Sequence, residues 1–159
     1  MIALEIEAED PRWDAVPDRD GLLQRAADAA LAVLPQDTKT DLAATVLLAD
    51  DEAVRELNRG WRGQDKPTNV LSFPSPDMPS APGRPRHLGE IALAYETVAR
   101  EAEAEGKTTA DHAAHLVVHA VLHLFGHDHL EEGEAEAMER LEVQALARLG
   151  IADPYGPAA

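Results

Sequence analysis

The sequence predicts an α/β (α+β) fold: a small, mostly parallel four-stranded sheet packed with about five helices. Two observations predict the architecture. Strand-like and helix-like stretches alternate through the first half of the chain, and three helical stretches close it. At 159 residues the chain supports one core and is too short for two ordinary ones, so a single domain over residues 1–159 is expected.

Met1 to Glu7 (MIALEIE) alternates apolar and polar residues, as a half-buried strand does, and Pro11 and Pro17 then punctuate a loop. From Asp18 to Leu34, Leu22, Leu23, Ala26, Ala27, Ala30, Leu31 and Leu34 recur at helical spacing, and Pro35 closes the segment. Thr45 to Ala49 is a continuous apolar run, the pattern of a strand covered on both faces, and Asp50 is placed to cap a short helix through Asn58. A third strand is expected at Thr68–Phe73 and a fourth at His87–Tyr95. The loop between them, Pro74 to Pro85, carries five prolines, and so direct a connection also allows antiparallel pairing. Helices follow at Glu96–Glu105, Thr108–Phe125 and about Glu131–Leu149, the last with Met138, Leu141, Ala145 and Leu149 on one face and Gly150 just past its end.

Composition narrows the chemistry. The chain has no cysteine, which excludes disulfides, thiolate metal sites and a cysteine nucleophile; any metal is held by nitrogen and oxygen. The N-terminus lacks a basic start followed by an apolar stretch, and no run reaches the length of a membrane span, so a cytoplasmic chain without membrane contacts is expected. The net charge of −16 opposes a polyanionic partner, yet Arg55, Arg59, Arg62, Lys66, Arg84 and Arg86 face only Glu56, Asp65 and Asp77 within one stretch.

The strongest signal is histidine. Six of the seven fall in DHAAHLVVHAVLHLFGHDH, between His112 and His129. His119 and His123 lie four residues apart on one predicted helix and so project from the same face about one turn apart, as two ligands of a shared ion must. Gly126 is suited to turn the chain back, and spacing leaves His127 and His129 as competing third ligands. Three imidazoles with a position left for water is the pattern of catalytic rather than structural zinc, one ion per chain. His115 shares the face but lies too far along the axis to be a fourth ligand, which suggests a supporting or core role; His112, at the helix start, is expected to be solvated. Asp128 is a candidate to ligate or to orient an imidazole.

HAVLHLFGHDH, from His119 to His129, resembles the signature of the YbeY family of bacterial rRNA maturation endoribonucleases, written approximately HGxLHLxGxDH. LNRGWRGQDKPTNVLSFP, from Leu57 to Pro74, is similar to the family's other motif, and LGEIALA from Leu88 to its Leu-Gly-Asp-Ile strand. The resemblance implies that His119, His123 and His129 bind Zn2+ and that Arg62 is the functional arginine. It also implies a zinc-dependent, single-strand-type endoribonuclease in small-subunit rRNA processing and ribosome maturation or quality control. Its implied partners are the ribosomal RNA precursor, the small ribosomal subunit, a small ribosomal protein and a ribosome-associated GTPase. The chain departs from the pattern at Ala120 (usually Gly), Asn69 and Glu90 (both commonly Asp), and Asn69 removes a charge beside the site. Zinc suits phosphodiester cleavage because it acidifies water and polarises phosphoryl oxygen, and the guanidinium of Arg62 suits a phosphate. Two other readings stand beside this one. A non-catalytic ribosome assembly factor would use zinc to lock helix to turn, and a metalloprotease-like hydrolase would share the His-x3-His start but lacks the glutamate that Ala120 replaces.

Overall fold

The computed structural model describes residues 2–34, 41–63, 68–75, 86–125 and 132–154, without the side chains of Trp61, Arg62 and residues 132–135. Its strands are β1 (Ile2–Ala8), β2 (Leu42–Ala49), β3 (Val70–Pro74) and β4 (Arg86–Ala94). Its helices are α1 (Arg19–Ala32), α2 (Asp51–Arg62), α3 (Tyr95–Glu105), α4 (Thr109–Leu124) and α5 (Glu132–Arg148), with a 3-10 turn at Pro11–Ala15. The expected elements are present, with ends displaced by a few residues. Within the stretch read as loop, the 3-10 turn is pinned by Trp13, which is fully buried, donates its indole N–H to the Ala49 carbonyl at 3.0 Å and packs edge-on against Tyr95.

The sheet order is β1-β2-β4-β3. The β1–β2 and β2–β4 pairs are parallel, while β3 closes the edge antiparallel to β4, so the sheet is mixed. β1 reaches β2 through α1, and β2 reaches β4 by way of α2 and β3; β3 and β4 follow one another among the described elements, and consecutive strands can pair antiparallel. Gly89 of β4 has φ 153°, a region that side chains avoid. A Cβ there would be driven against the Phe73 carbonyl oxygen and would lie 2.9 Å from Leu124 of α4.

The two faces of the sheet differ. Leu42, Ala44, Val46 and Leu48 of β2 join the main core with residues of α1, α4 and α5. Ala43, Thr45 and Leu47 on the other face are only half buried, which corrects the reading of β2 as a strand covered on both sides. There, a small second core of Ala49, Val54, Leu71, Ala92 and Ala94 forms where α2 packs, and Glu5, Glu7 and Glu90 are exposed beyond it. Among the described residues one helix covers one end of the face, so the apolar run of β2 meets a complete cover on one side and a partial one on the other.

α4 is the central helix. Thr108 caps it by accepting the Asp111 N–H at 3.0 Å, and Ala114, Val117, Val118, Val121 and Leu122 are fully buried. Packed against α1, α3, α5, β3 and β4, it has little freedom to shift. Each buried Val or Leu contributes on the order of 1.5–3 kcal/mol of burial, so the helix that carries the histidines is held by the main core itself. Among the described residues, no helix is long and apolar enough to cross a membrane.

Candidate metal centre

His112, His115, His119 and His123 form one stripe along α4, at steps of three, four and four residues. Exposure rises along it: His112 and His115 are buried, at 4% and 9%, while His119 and His123 are partly open. The stripe borders a cleft of about 220 Å³ lined by Asn69 and Val70, by Glu101 and Glu105 of α3, and by His112, His115, Leu116 and His119.

The His119 and His123 rings have centroids 4.8 Å apart and planes inclined by 61°. Two imidazoles on one tetrahedral zinc, each bonded at about 2.0–2.1 Å, put their centroids about 5 Å apart, so the pair fits a shared ion. His119 Nδ1 lies 3.2 Å from Glu142 Oε1 of α5, so Nε2 is the nitrogen that this ring would offer to an ion. Among the described residues no third acidic or histidine side chain converges on the same point. His129, His127, Gly126 and Asp128 lie outside the described residues, so the choice between His127 and His129 does too.

Glu142 is fully buried, and the same Oε1 is 2.8 Å from His115 Nε2. Burial raises the pKa of the carboxyl, but the hydrogen bonds from His115 and His119 outweigh burial and bring it down to about 2. His115 therefore supports the site from behind. Glu142 escaped the sequence reading, although a signal existed: an acid four residues after Met138 and three before Ala145 sits on the buried stripe of its helix.

His112 is buried, contrary to the expectation that it is solvated. Its Nε2 is 2.9 Å from Glu101 Oε1, and its Nδ1, 3.8 Å from Glu105, is buried without a hydrogen-bond partner among the described residues. The tight turn at Gly106 folds α3 back over the start of α4, and Glu101 and Glu105, one turn apart, meet the imidazole. Burial lowers the pKa of His112, with Glu101 opposing it in part. Asn69 donates its side-chain amide to the same Glu101 oxygen at 2.9 Å. The amide at this position thus satisfies a neighbouring carboxylate that an aspartate would repel.

Asp50 caps α2 by accepting the Ala53 N–H at 2.8 Å, and the helix runs past the expected end at Asn58 to Arg62, with Gly63 in the left-handed cap. Arg55, Arg59 and Arg62 consequently occupy positions on one helical face, at steps of four and three residues. The side chain of Arg62 lies outside the described ones. Lys66 and Arg84 lie outside the described residues altogether.

The family model described as Endoribonuclease YbeY matches residues 10–150 of the chain. A protein of Chelativorans sp. (strain BNC1) called Endoribonuclease YbeY is 54% identical over 143 residues, covering 90% of this chain and 86% of its own. One from Paramagnetospirillum magneticum with the same name is 51% identical over 160 residues, covering 98% and 96%. The solution structure of TM1509 from Thermotoga maritima is 22% identical with a TM-score of 0.54, covering 94% of this chain and 92% of that one, a likeness of fold. With a family model matched over most of its length and relatives near half identity, the chain belongs to the Endoribonuclease YbeY family.

Proposed function

We propose that this protein is a zinc-dependent endoribonuclease of the cytoplasm that cuts single-stranded segments of ribosomal RNA precursor as the small subunit matures. The name Endoribonuclease YbeY, carried by relatives that align along nearly the whole chain, supports RNA cleavage. The observation that carries the metal reading is the pair of imidazoles 4.8 Å apart at the cleft, one already hydrogen-bonded through Nδ1 to a buried carboxylate. His119, His123 and His129 would hold the ion. When bound, zinc supplies Lewis acidity toward water and toward a phosphodiester.

The chain's own groups do the rest. Arg62 at the end of α2 would clamp a phosphate through its planar fork, with Arg55 and Arg59 earlier on the same face continuing the contact along the backbone. The cleft beside His119 presents the Asn69 amide and the Glu101 carboxylate, whose mutual hydrogen bond holds both against the wall. The exposed carboxylates of Glu5, Glu7 and Glu90 repel RNA from the open face of the sheet. That face suits instead a basic protein partner, in keeping with the small ribosomal protein and ribosome-associated GTPase proposed alongside the small subunit. The same acidity favours one second reading, a non-catalytic assembly factor. The protease reading has no support, since position 120 carries alanine, 1% exposed.

Chelator-stripped protein, with and without zinc, assayed on labelled ribosomal RNA and on casein separates these readings. Zinc-restored cutting of RNA alone is the expected result. Cutting of neither substrate would favour the assembly factor, and cutting of casein would revive the protease.

A further inference from the structure

Glu142 has a geometry that core packing does not require. A carboxylate that is fully buried on an otherwise apolar helix stripe is costly unless its hydrogen bonds are satisfied. Its Oε1 lies 2.8 Å from His115 Nε2 and 3.2 Å from His119 Nδ1, so one oxygen faces a different nitrogen on each of two rings. An ionised carboxylate only accepts, and therefore both facing nitrogens must carry hydrogen. That assigns the tautomers: His115 holds its proton on Nε2 and His119 on Nδ1.

We infer that Glu142 is a positioning residue for the metal centre: it holds the His119 proton on Nδ1 so that the Nε2 lone pair faces the ion, and His115 is the second arm that keeps the carboxylate in register. The inference rests on the metal reading above and deepens it. Free imidazole prefers its proton on Nε2, the nitrogen that must be bare to bind a metal, so an unsupported His119 would have to change tautomer before binding. A carboxylate behind a ligating imidazole removes that step, orients the ring and raises its basicity. Because Glu142 comes from α5 and His119 from α4, the contact also ties the packing of the last helix to the quality of the site.

The test uses the full chain and does not depend on RNA cleavage. In metal-free protein near pH 8, long-range proton–nitrogen correlation spectra should show His119 protonated on Nδ1 and His115 on Nε2. Glu142→Gln keeps the shape and removes the charge. It should weaken zinc binding between tenfold and a hundredfold, shift the visible absorption of the cobalt(II)-loaded protein and let His119 populate the Nε2–H form. Leu146→Ala, a buried core change on the same helix, should lower the melting temperature while leaving zinc affinity within about threefold of wild type, which separates positioning from general weakening of α5. A wild-type His119 protonated on Nε2, or a folded Glu142→Gln protein with unchanged zinc affinity, would overturn the assignment. A wild-type protein that binds no zinc at all would instead bring down the metal reading, whatever the tautomers.

Discussion

The two halves of α4 each carry a pair of histidines on one stripe, to opposite ends. In the first half, His112 and His115 are covered by α3 and α5 and meet carboxylates from those helices. In the second half, His119 and His123 are partly exposed, and His119 lines the cleft with its Nδ1 beside the Glu142 carboxylate. A histidine stripe thus reports which face of a helix is polar, but the neighbouring helices decide which imidazoles stay available to an ion. What separates the two pairs is exposure: His112 and His115 are buried, while His119 and His123 are partly open.

The sharpest way to break the comparison is to remove imidazoles from the open half and from the sequence that follows it. His119→Ala, His123→Ala and His129→Ala are each expected to lose most bound zinc and most RNA cleavage, because one ligand of three costs several kcal/mol of metal binding. His127→Ala should retain about one zinc per chain by elemental analysis. Stripping of zinc in His127→Ala, or its retention in His129→Ala, would move the third ligand to the other side of Asp128.

The next effect concerns the packing that holds both halves in line. Leu122, fully buried one residue before His123, should cost about 2–5 kcal/mol when changed to Ala, measured by urea unfolding of the metal-free protein. A loss below about 1 kcal/mol would mean that α4 is not anchored by the main core. Smaller still is the change expected at α2. Arg62→Ala should keep its zinc and lower RNA cleavage at least tenfold, about 1.4 kcal/mol of transition-state stabilisation. Equal turnover in a zinc-loaded variant would remove Arg62 from the chemistry.

The smallest effect belongs to the buried half. The folded-state pKa of His112 lies below its unfolded value, since burial outweighs the help of Glu101. Its contribution to stability is therefore complete above the unfolded pKa, near 6.5, and is lost as pH falls through the folded pKa. Glu101 and Glu105 of α3 and Lys107 after it are the charges that face the ring. Metal-free wild type should lose up to about 1.4 kcal/mol per pH unit more steeply than His112→Asn across that window, read by urea titrations at stepped pH. Parallel curves for the two proteins would show that His112 is protonated as readily in the fold as in the unfolded chain.

Much of the fold was legible because each element carried its own period and punctuation. α4 announced itself through an apolar run closed by a capping Thr108, and α2 through Asp50. What stayed illegible is what other elements cover. Nothing local to His112 says that Glu101 and Glu105 will fold over it, and nothing in the apolar run of β2 says that only one end of its second face will meet a helix. The spacing of His119 and His123 did yield the paired imidazoles. Glu142, 19 residues beyond His123 in sequence, could be found only by asking why an acid stands on the core stripe of α5.

Gly89 links the sheet edge to the helix that carries the histidines. Its missing side chain leaves room for the Phe73 carbonyl on one side and for Leu124, the residue after His123, on the other. Position 89 is thereby a gauge block whose thickness is zero: any added atom must push β3 off β4 or push the end of α4 off the sheet. Displacement of α4 there would move the His123 backbone before it moved His112, some three turns away. Errors of fit at the sheet edge would therefore be felt as errors of aim in the His119 and His123 imidazoles.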